Sequence, residues 1–114
     1  MIDVREYVDL KGRSRYGVWF DSLNPQAAAK VAARLTRLAG GNFSNVKGVG
    51  SGVFEYKIDF GPGYRICFGK EGDQLVILLG GGSKTRQQVD IAEALTSWQE
   101  YKQRKKENPH APHT

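Results

Sequence analysis

Cysteine is nearly absent from this sequence of 114 residues, and the single one, Cys67, excludes an internal disulfide and a zinc site made of several cysteines. A lone cysteine in a stretch of strand character is either a small packing side chain or a reactive thiol, and we favour packing. Long apolar runs are also missing, since the longest, Leu75 to Leu79, is far shorter than the roughly 20 residues that span a membrane. The N-terminus MIDVREYVDL lacks the pattern of a signal peptide. These absences predict a cytoplasmic protein without membrane association.

Histidine is scarce as well, because the two in the chain, His110 and His113, both lie in the C-terminal segment 107–114. That segment is polar and contains two prolines, which predicts a disordered tail after a single domain over residues 1–106. Side chains in such a tail are not held in place. Neither histidine is therefore expected to act in catalysis or to bind a metal, and we expect no metal and no cofactor.

Acidic residues are outnumbered by basic ones, 12 to 17, which gives a formal net charge of +5. A modest basic excess suits an anionic partner, either a nucleic acid or an acidic protein. Part of the excess lies in one C-terminal cluster that comprises Lys102, Arg104, Lys105 and Lys106. This cluster is either a solvated helix end or an electrostatic contact with such a partner.

Hydrophobic periodicity and turn residues predict an α+β fold with the order β-α-α-β-β-β-α. In the first part of the chain we expect a strand within residues 1–10, a helix capped by Ser14 and a helix from Asn24-Pro25 to Gly40-Gly41. A loop over 42–52, a hairpin and a strand over 74–79, ended by Gly80 to Gly82, should follow. The last predicted element is a helix, at whose start Thr85 and Gln88 have capping-box spacing. The continuous apolar run of the third consecutive strand predicts a central strand, buried on both faces. The sheet is expected to be antiparallel, with a helical hairpin on one side and the helices on one face or at its ends.

The predicted hairpin is the most informative segment, because its residues alternate between apolar and polar over both strands. Gly61-Pro62-Gly63 has the composition of a three-residue turn. This turn pairs Phe60 with Tyr64, Ile58 with Ile66 and Asp59 with Arg65, and it leaves Lys57, Asp59 and Arg65 in a polar row on the opposite face. That row is the first candidate for a functional site.

Two segments, GVFEYKIDFGPGYRICFG and LVILLGGGSKTRQQVDIAEALTSW, resemble the RelE/ParE toxin superfamily, and in particular its addiction module killer proteins, which are RelE- and HigB-like. The resemblance covers about residues 1 to 103. It implies a RelE-like fold and the toxin of a type II toxin–antitoxin module, bound by a small helix-turn-helix antitoxin. The RelE branch cuts mRNA on the ribosome, whereas the ParE branch poisons DNA gyrase. A ribosome and mRNA, rather than a membrane or a small-molecule substrate, are thus the expected targets.

The resemblance also implies roles for single residues. Lys57 matches a lysine that contacts RNA near the scissile phosphate, Arg65 matches the arginine that holds this phosphate, and Lys84 stands where RelE has arginine. Two positions depart from RelE, since Asp59 replaces a second lysine and Asp90 replaces the catalytic tyrosine. We predict Arg65, Lys57, Lys84 and Asp90 as catalytic residues and Arg86, Lys102 and Lys105 as RNA-binding residues.

Metal-free ribonuclease chemistry needs a base for the 2′-hydroxyl, cations for the charged phosphorane and an acid for the leaving oxygen. Asp90 is the first candidate base and Asp59 the second. Both have structural alternatives, because Asp59 opposite Arg65 forms a cross-strand ion pair and Asp90 near a helix start favours the macrodipole. The run Gly80 to Lys84 lacks the full spacing of a phosphate-binding loop, so its glycines are expected to let a nucleic acid or protein backbone come close. A gyrase-binding toxin and an inert, antitoxin-binding remnant remain alternatives.

Overall fold

The computed structural model describes residues 1–107. Its elements are β1 (Asp3–Glu6), α1 (Arg15–Asp21), α2 (Pro25–Ala39), β2 (Val46–Gly50), β3 (Val53–Ile58), β4 (Tyr64–Glu71), β5 (Leu75–Ser83), a 3₁₀ turn (Lys84–Arg86) and α3 (Gln87–Glu107). Apart from Glu107, which ends α3, the predicted tail and its two histidines lie outside the described residues. No helix within residues 1–107 has the length and apolar character needed to cross a membrane.

The five strands form one mixed sheet in the order β1-β5-β4-β3-β2. Strands β2 to β5 are antiparallel neighbours, but β1 runs parallel to β5, so the prediction of a wholly antiparallel sheet is wrong. The pairing of β1 with β5 joins distant parts of the chain, which local patterns do not reveal. Strand β2 lies in the predicted loop 42–52. Its residues are mostly exposed, so an edge strand of this kind needs no buried periodicity.

The β3–β4 hairpin has a different register from the predicted one, because Ile58 pairs with Tyr64 and Lys57 pairs with Arg65. Residues Asp59 to Gly63 form the connection, in which Gly61 and Gly63 have positive φ values of 56° and 84°. The observed pairing is shifted by two residues from the predicted one. A shift of two keeps each side chain on its predicted face, so the apolar alternation fits either register.

Helices cover both faces of the sheet, not one face or its ends as predicted. On one face α1 and α2 pack Tyr16, Val31 and Leu38 against the sheet. On the other, α3 packs Ala94, Trp98 and Tyr101 against a second apolar cluster that includes Val53, Cys67, Ile77 and Leu79. We call this second surface the α3 face.

The apolar part of β5 is buried on both faces, as predicted, although β4 holds the middle place in the sheet. Gly80 to Gly82 do not end β5, which continues to Ser83. Cys67 is a buried packing residue, and burial raises the pKa of its thiol to about 12, which confirms the packing interpretation.

Two of the three predicted helix starts are confirmed. Ser14 caps α1 by accepting a hydrogen bond from the Gly17 N–H, and Asn24 caps α2 by accepting one from Ala27, with Pro25 at the first helical position. The capping box at Thr85 is wrong, because a 3₁₀ turn precedes α3 and the Thr85 hydroxyl instead lies 3.0 Å from that of Ser83.

Candidate functional site

Three sheet positions on the α3 face form a row across β3, β4 and β5. Lys57 is directly opposite Arg65, and Arg65 is directly opposite Gly82. Such neighbours have Cβ atoms about 4.5–5.5 Å apart. The Asp90 carboxylate from α3 lies over Gly82, where it fills the space that a side chain at this position would need. Three of the four predicted catalytic residues therefore lie along one row of this face, and we call Lys57, Arg65 and Asp90 the α3-face site.

The Arg65 side chain is paired with the carboxylate of Glu55, a residue that the sequence did not lead us to predict for the site. Its side chain is 14% exposed, and its Nε lies 3.4 Å from Oε1 of Glu55, which is itself 2% exposed. Gln87 donates from Nε2 to both Glu55 oxygens at 3.0 Å. The alternation of β3 places Glu55 on the same face as Lys57 and Arg65. The sequence signal that could have identified Glu55 is a charged residue on a strand face that a helix covers.

Lys57 is more open, with 56% of its side chain exposed and its Nζ 3.6 Å from Oδ1 of Asp59. The predicted ion pair between Asp59 and Arg65 is therefore wrong. The register shift leaves Asp59 in the connection beyond the last paired residue of β3, where its carboxylate reaches Lys57, two residues earlier in the chain. An exposed pair of this kind contributes only about 0–1 kcal/mol, so Lys57 is readily available to a ligand.

Lys84 and Arg86 lie beside the site, in the 3₁₀ turn that links β5 to α3. Lys84 is exposed and directly follows Ser83, the partner of Tyr64. This places its backbone at the Arg65 end of the sheet. Arg86 is exposed as well, and its Nη2 lies 3.4 Å from Oε1 of Glu93.

Lys102 and Lys105 do not lie near the α3-face site. They follow Asp90 by three to four turns of α3, which corresponds to an axial distance of roughly 18–23 Å. Lys105 forms an ion pair with Glu71, whereas Lys102 is exposed. An RNA contact at these lysines would belong to a separate part of the surface.

The Asp90 carboxyl has a raised pKa, mainly because partial burial disfavours its charged form. The Arg86 charge opposes this shift and the Glu93 charge adds to it. A carboxylate with a raised pKa is a better proton acceptor than an ordinary surface aspartate. Burial over Gly82 thus gives Asp90 a property that a general base requires.

Replacing Asp90 by asparagine should stabilise the fold at neutral pH, since a raised pKa means that the folded state disfavours the ionised carboxylate. The gain should shrink as the pH falls through the Asp90 pKa, because the wild-type carboxyl then becomes neutral too. Urea unfolding from about pH 3 to pH 7 measures this difference. Asp73→Asn, at an exposed turn residue, is the matched control. Equal pH profiles for both variants would contradict the assignment.

A cleft of about 380 Å³ adjoins the site between α1 and the start of α3. Its charged lining is balanced, with Arg13, Arg15 and Arg86 against Asp9, Asp90 and Glu93. Gly81 lies beneath the ring of Trp19, and a methyl group there would overlap this ring. Side chains of the protein itself therefore occupy the space over Gly81 and Gly82, which corrects the expectation that these glycines admit a foreign backbone.

Within residues 1–107, no group of three or more histidine, cysteine and carboxylate side chains is placed to hold a metal ion. No family model matches the chain. It is 42% identical over 88 residues to an uncharacterized protein of Haemophilus influenzae, an alignment that covers 76% of this chain and 89% of the relative. The chain belongs to the same protein family as this uncharacterized Haemophilus influenzae protein.

Proposed function

We propose that the protein is a toxin of the RelE/ParE superfamily, from a type II toxin–antitoxin module, and that it cleaves mRNA on the ribosome. The observation that carries the proposal is the α3-face site, where Lys57 and Arg65 are direct cross-strand neighbours and Asp90 lies over the next position in the row. Two cations in one row with a carboxylate of raised pKa match what RNA transesterification needs. The α+β architecture with a C-terminal helix agrees with a RelE-like fold.

In the proposed reaction Asp90 takes the proton of a 2′-hydroxyl, and the resulting oxygen attacks the adjacent phosphorus. The bond to the 5′-oxygen breaks, which leaves a 2′,3′-cyclic phosphate, and this oxygen takes a proton from water to give a 5′-hydroxyl. Arg65 stabilises the charged phosphorane with its planar fork, and Lys57 and Lys84 add positive charge. The ribosome supplies the orientation of the RNA strand, which contributes much of the rate in positioned reactions.

The proposed antitoxin is a helix-turn-helix protein whose acidic segment covers the α3-face site. The exposed cations at this end of the sheet, Lys57 and Lys84, suit such a segment because opposite charges steer association. An antitoxin bound there blocks RNA from reaching Arg65.

Inducible expression in bacteria with mapping of transcript ends tests the proposed function. We expect growth arrest, with new transcript ends inside translated codons. Asp90→Asn is the inactive control, because it removes the base while keeping the size of the side chain. Asp73→Asn makes the same chemical change away from the site and should keep full activity. Intact transcripts with a DNA damage response and gyrase–DNA adducts would instead identify a gyrase poison. Normal growth on expression of folded protein would identify an inert remnant.

A further inference from the structure

The buried carboxylate of Glu55 is the least expected charge in the described part of the chain. It lies on the α3 face with 2% of its side chain exposed, directly opposite Cys67 in the sheet. A carboxylate is costly to bury unless it is paired and hydrogen-bonded. Glu55 is both, since cations from two neighbouring strands, Lys47 and Arg65, lie 3.7 Å and 3.4 Å from its Oε1. Its hydrogen bonds come from the side-chain amide of Gln87.

The contact with Arg65 is made through Nε. Among the buried polar side-chain atoms of residues 1–107, this Nε is the one without a hydrogen bond, because at 3.4 Å it meets Glu55 as an ion pair with imperfect alignment. A carboxylate on the Nε side leaves both Nη atoms of the guanidinium for another ligand. Two parallel N–H donors of this kind form the bidentate fork that fits phosphate.

The third contact of Glu55, with Gln87, reaches the other half of the site. Gln87 is the first residue of α3 and donates to both Glu55 oxygens at 3.0 Å. Asp90 follows Gln87 by three residues, which places both on one side of the helix. One carboxylate therefore ties the strand that carries Arg65 to the helix turn that carries Asp90.

We propose that Glu55 is the positioning residue of the α3-face site, since it orients the Arg65 guanidinium through Nε and anchors the first turn of α3 through Gln87. We call the Arg65 guanidinium, as the proposed holder of the phosphate, the phosphate clamp. This inference rests on the proposed function and adds the residue that sets the geometry of this clamp. Glu55 touches neither the RNA nor the reacting atoms.

Single-turnover cleavage of ribosome-bound mRNA tests the catalytic consequence. The isosteric variant Glu55→Gln should lower the maximal rate about 10- to 100-fold with little change in the half-saturating concentration, because a misplaced clamp affects the transition state most. Glutamine at this position can still accept the hydrogen bond from Gln87, so Glu55→Gln changes mainly the contact with Arg65. In an Arg65→Lys background, which has no fork to orient, the same change should therefore cost less than about twofold. Glu71→Gln is the control, because Glu71 contacts α3 at its far end through Lys105. It should lower stability without lowering the rate. An unchanged rate in Glu55→Gln, or an equal loss in both backgrounds, would overturn the proposal.

Nitrogen-15 NMR of the Arg65 Nε–H group tests the positioning without reference to activity. Its hydrogen exchange should be at least about tenfold slower than that of the exposed Arg37, and this protection should be lost in Glu55→Ala. An Arg65 signal that exchanges as fast as the Arg37 signal in the wild-type protein would overturn the proposal even if the variants fail to fold. If the wild-type protein cleaves no RNA, the proposed function fails, and the NMR result alone decides whether Glu55 holds Arg65.

Discussion

Arg65→Ala is expected to reduce the proposed mRNA cleavage by about 100- to 1,000-fold, the usual effect of removing a principal donor to a charged transition state. Arg65 is the one cation of the α3-face site that is both largely buried and held by a carboxylate, so its charge acts where water screens it least. Rates of ribosome-dependent cleavage and relief of growth arrest measure the loss. The cleavage rate of Arg65→Lys should lie between those of the wild-type protein and Arg65→Ala, because lysine keeps the charge without the fork.

The alanine variant also needs a control for stability, since it leaves Glu55 buried with one cation fewer. We expect a loss of about 1–3 kcal/mol in the free energy of unfolding. The double variant Arg65→Ala with Glu55→Gln also removes the buried negative charge, so it should recover stability but not activity. Arg37→Ala, an exposed arginine on α2, should leave activity unchanged. A folded Arg65→Ala protein that still arrests growth would rule out the phosphate clamp.

Trp98→Ala should cost about 3–5 kcal/mol, the range for truncating a large buried aromatic side chain. Trp98 is the largest side chain of the α3 face, 4% exposed, and its ring stacks on Tyr101 with centroids 5.0 Å apart. The loss is a large part of the roughly 5–15 kcal/mol that stabilises a typical small domain. Urea unfolding followed by circular dichroism measures it.

Gly69 allows a second test of the packing around Trp98. A methyl group at this position would overlap the six-membered ring of Trp98, so Gly69→Ala should destabilise the wild-type protein by about 1–3 kcal/mol. In the Trp98→Ala background the same methyl enters a void, and the change should be neutral or stabilising. Gly48→Ala on β2 is the control, because its nearest neighbour, a Phe54 ring carbon, lies at an ordinary 4.0 Å. The packing account fails if Gly69→Ala has the same effect in both backgrounds.

Features that depend on local chemistry were predictable from the sequence. The caps at Ser14 and Asn24 are formed by atoms three residues apart, so residue order alone determines them. The alternation of β3 and β4 likewise assigned side chains to the correct faces. The parallel pairing of β1 was not predictable in this way, because it depends on contacts with a strand at the other end of the domain.

The candidate site was predictable only in part, for the same reason. Lys57 and Arg65 followed from alternation within one hairpin, together with the family resemblance. The contacts of Glu55 with Gln87 and of Asp90 with Gly82 join a strand to a helix, and neither has a short-range pattern. The glycine run was visible, but whether its open space receives RNA or the protein's own side chains depends on tertiary packing.

The parallel edge of the sheet has a consequence for synthesis on the ribosome. Within residues 1–107, β1 pairs with β5 alone, so Asp3 cannot form its pairing until Leu75 has been synthesised. At typical bacterial elongation rates of about 5–20 residues per second, this delay is roughly 4–14 s. The helix turn that carries Asp90 emerges later still. Under the proposed function, a nascent chain is therefore harmless to the ribosome that makes it, because the α3-face site is complete only when nearly the whole domain has been translated.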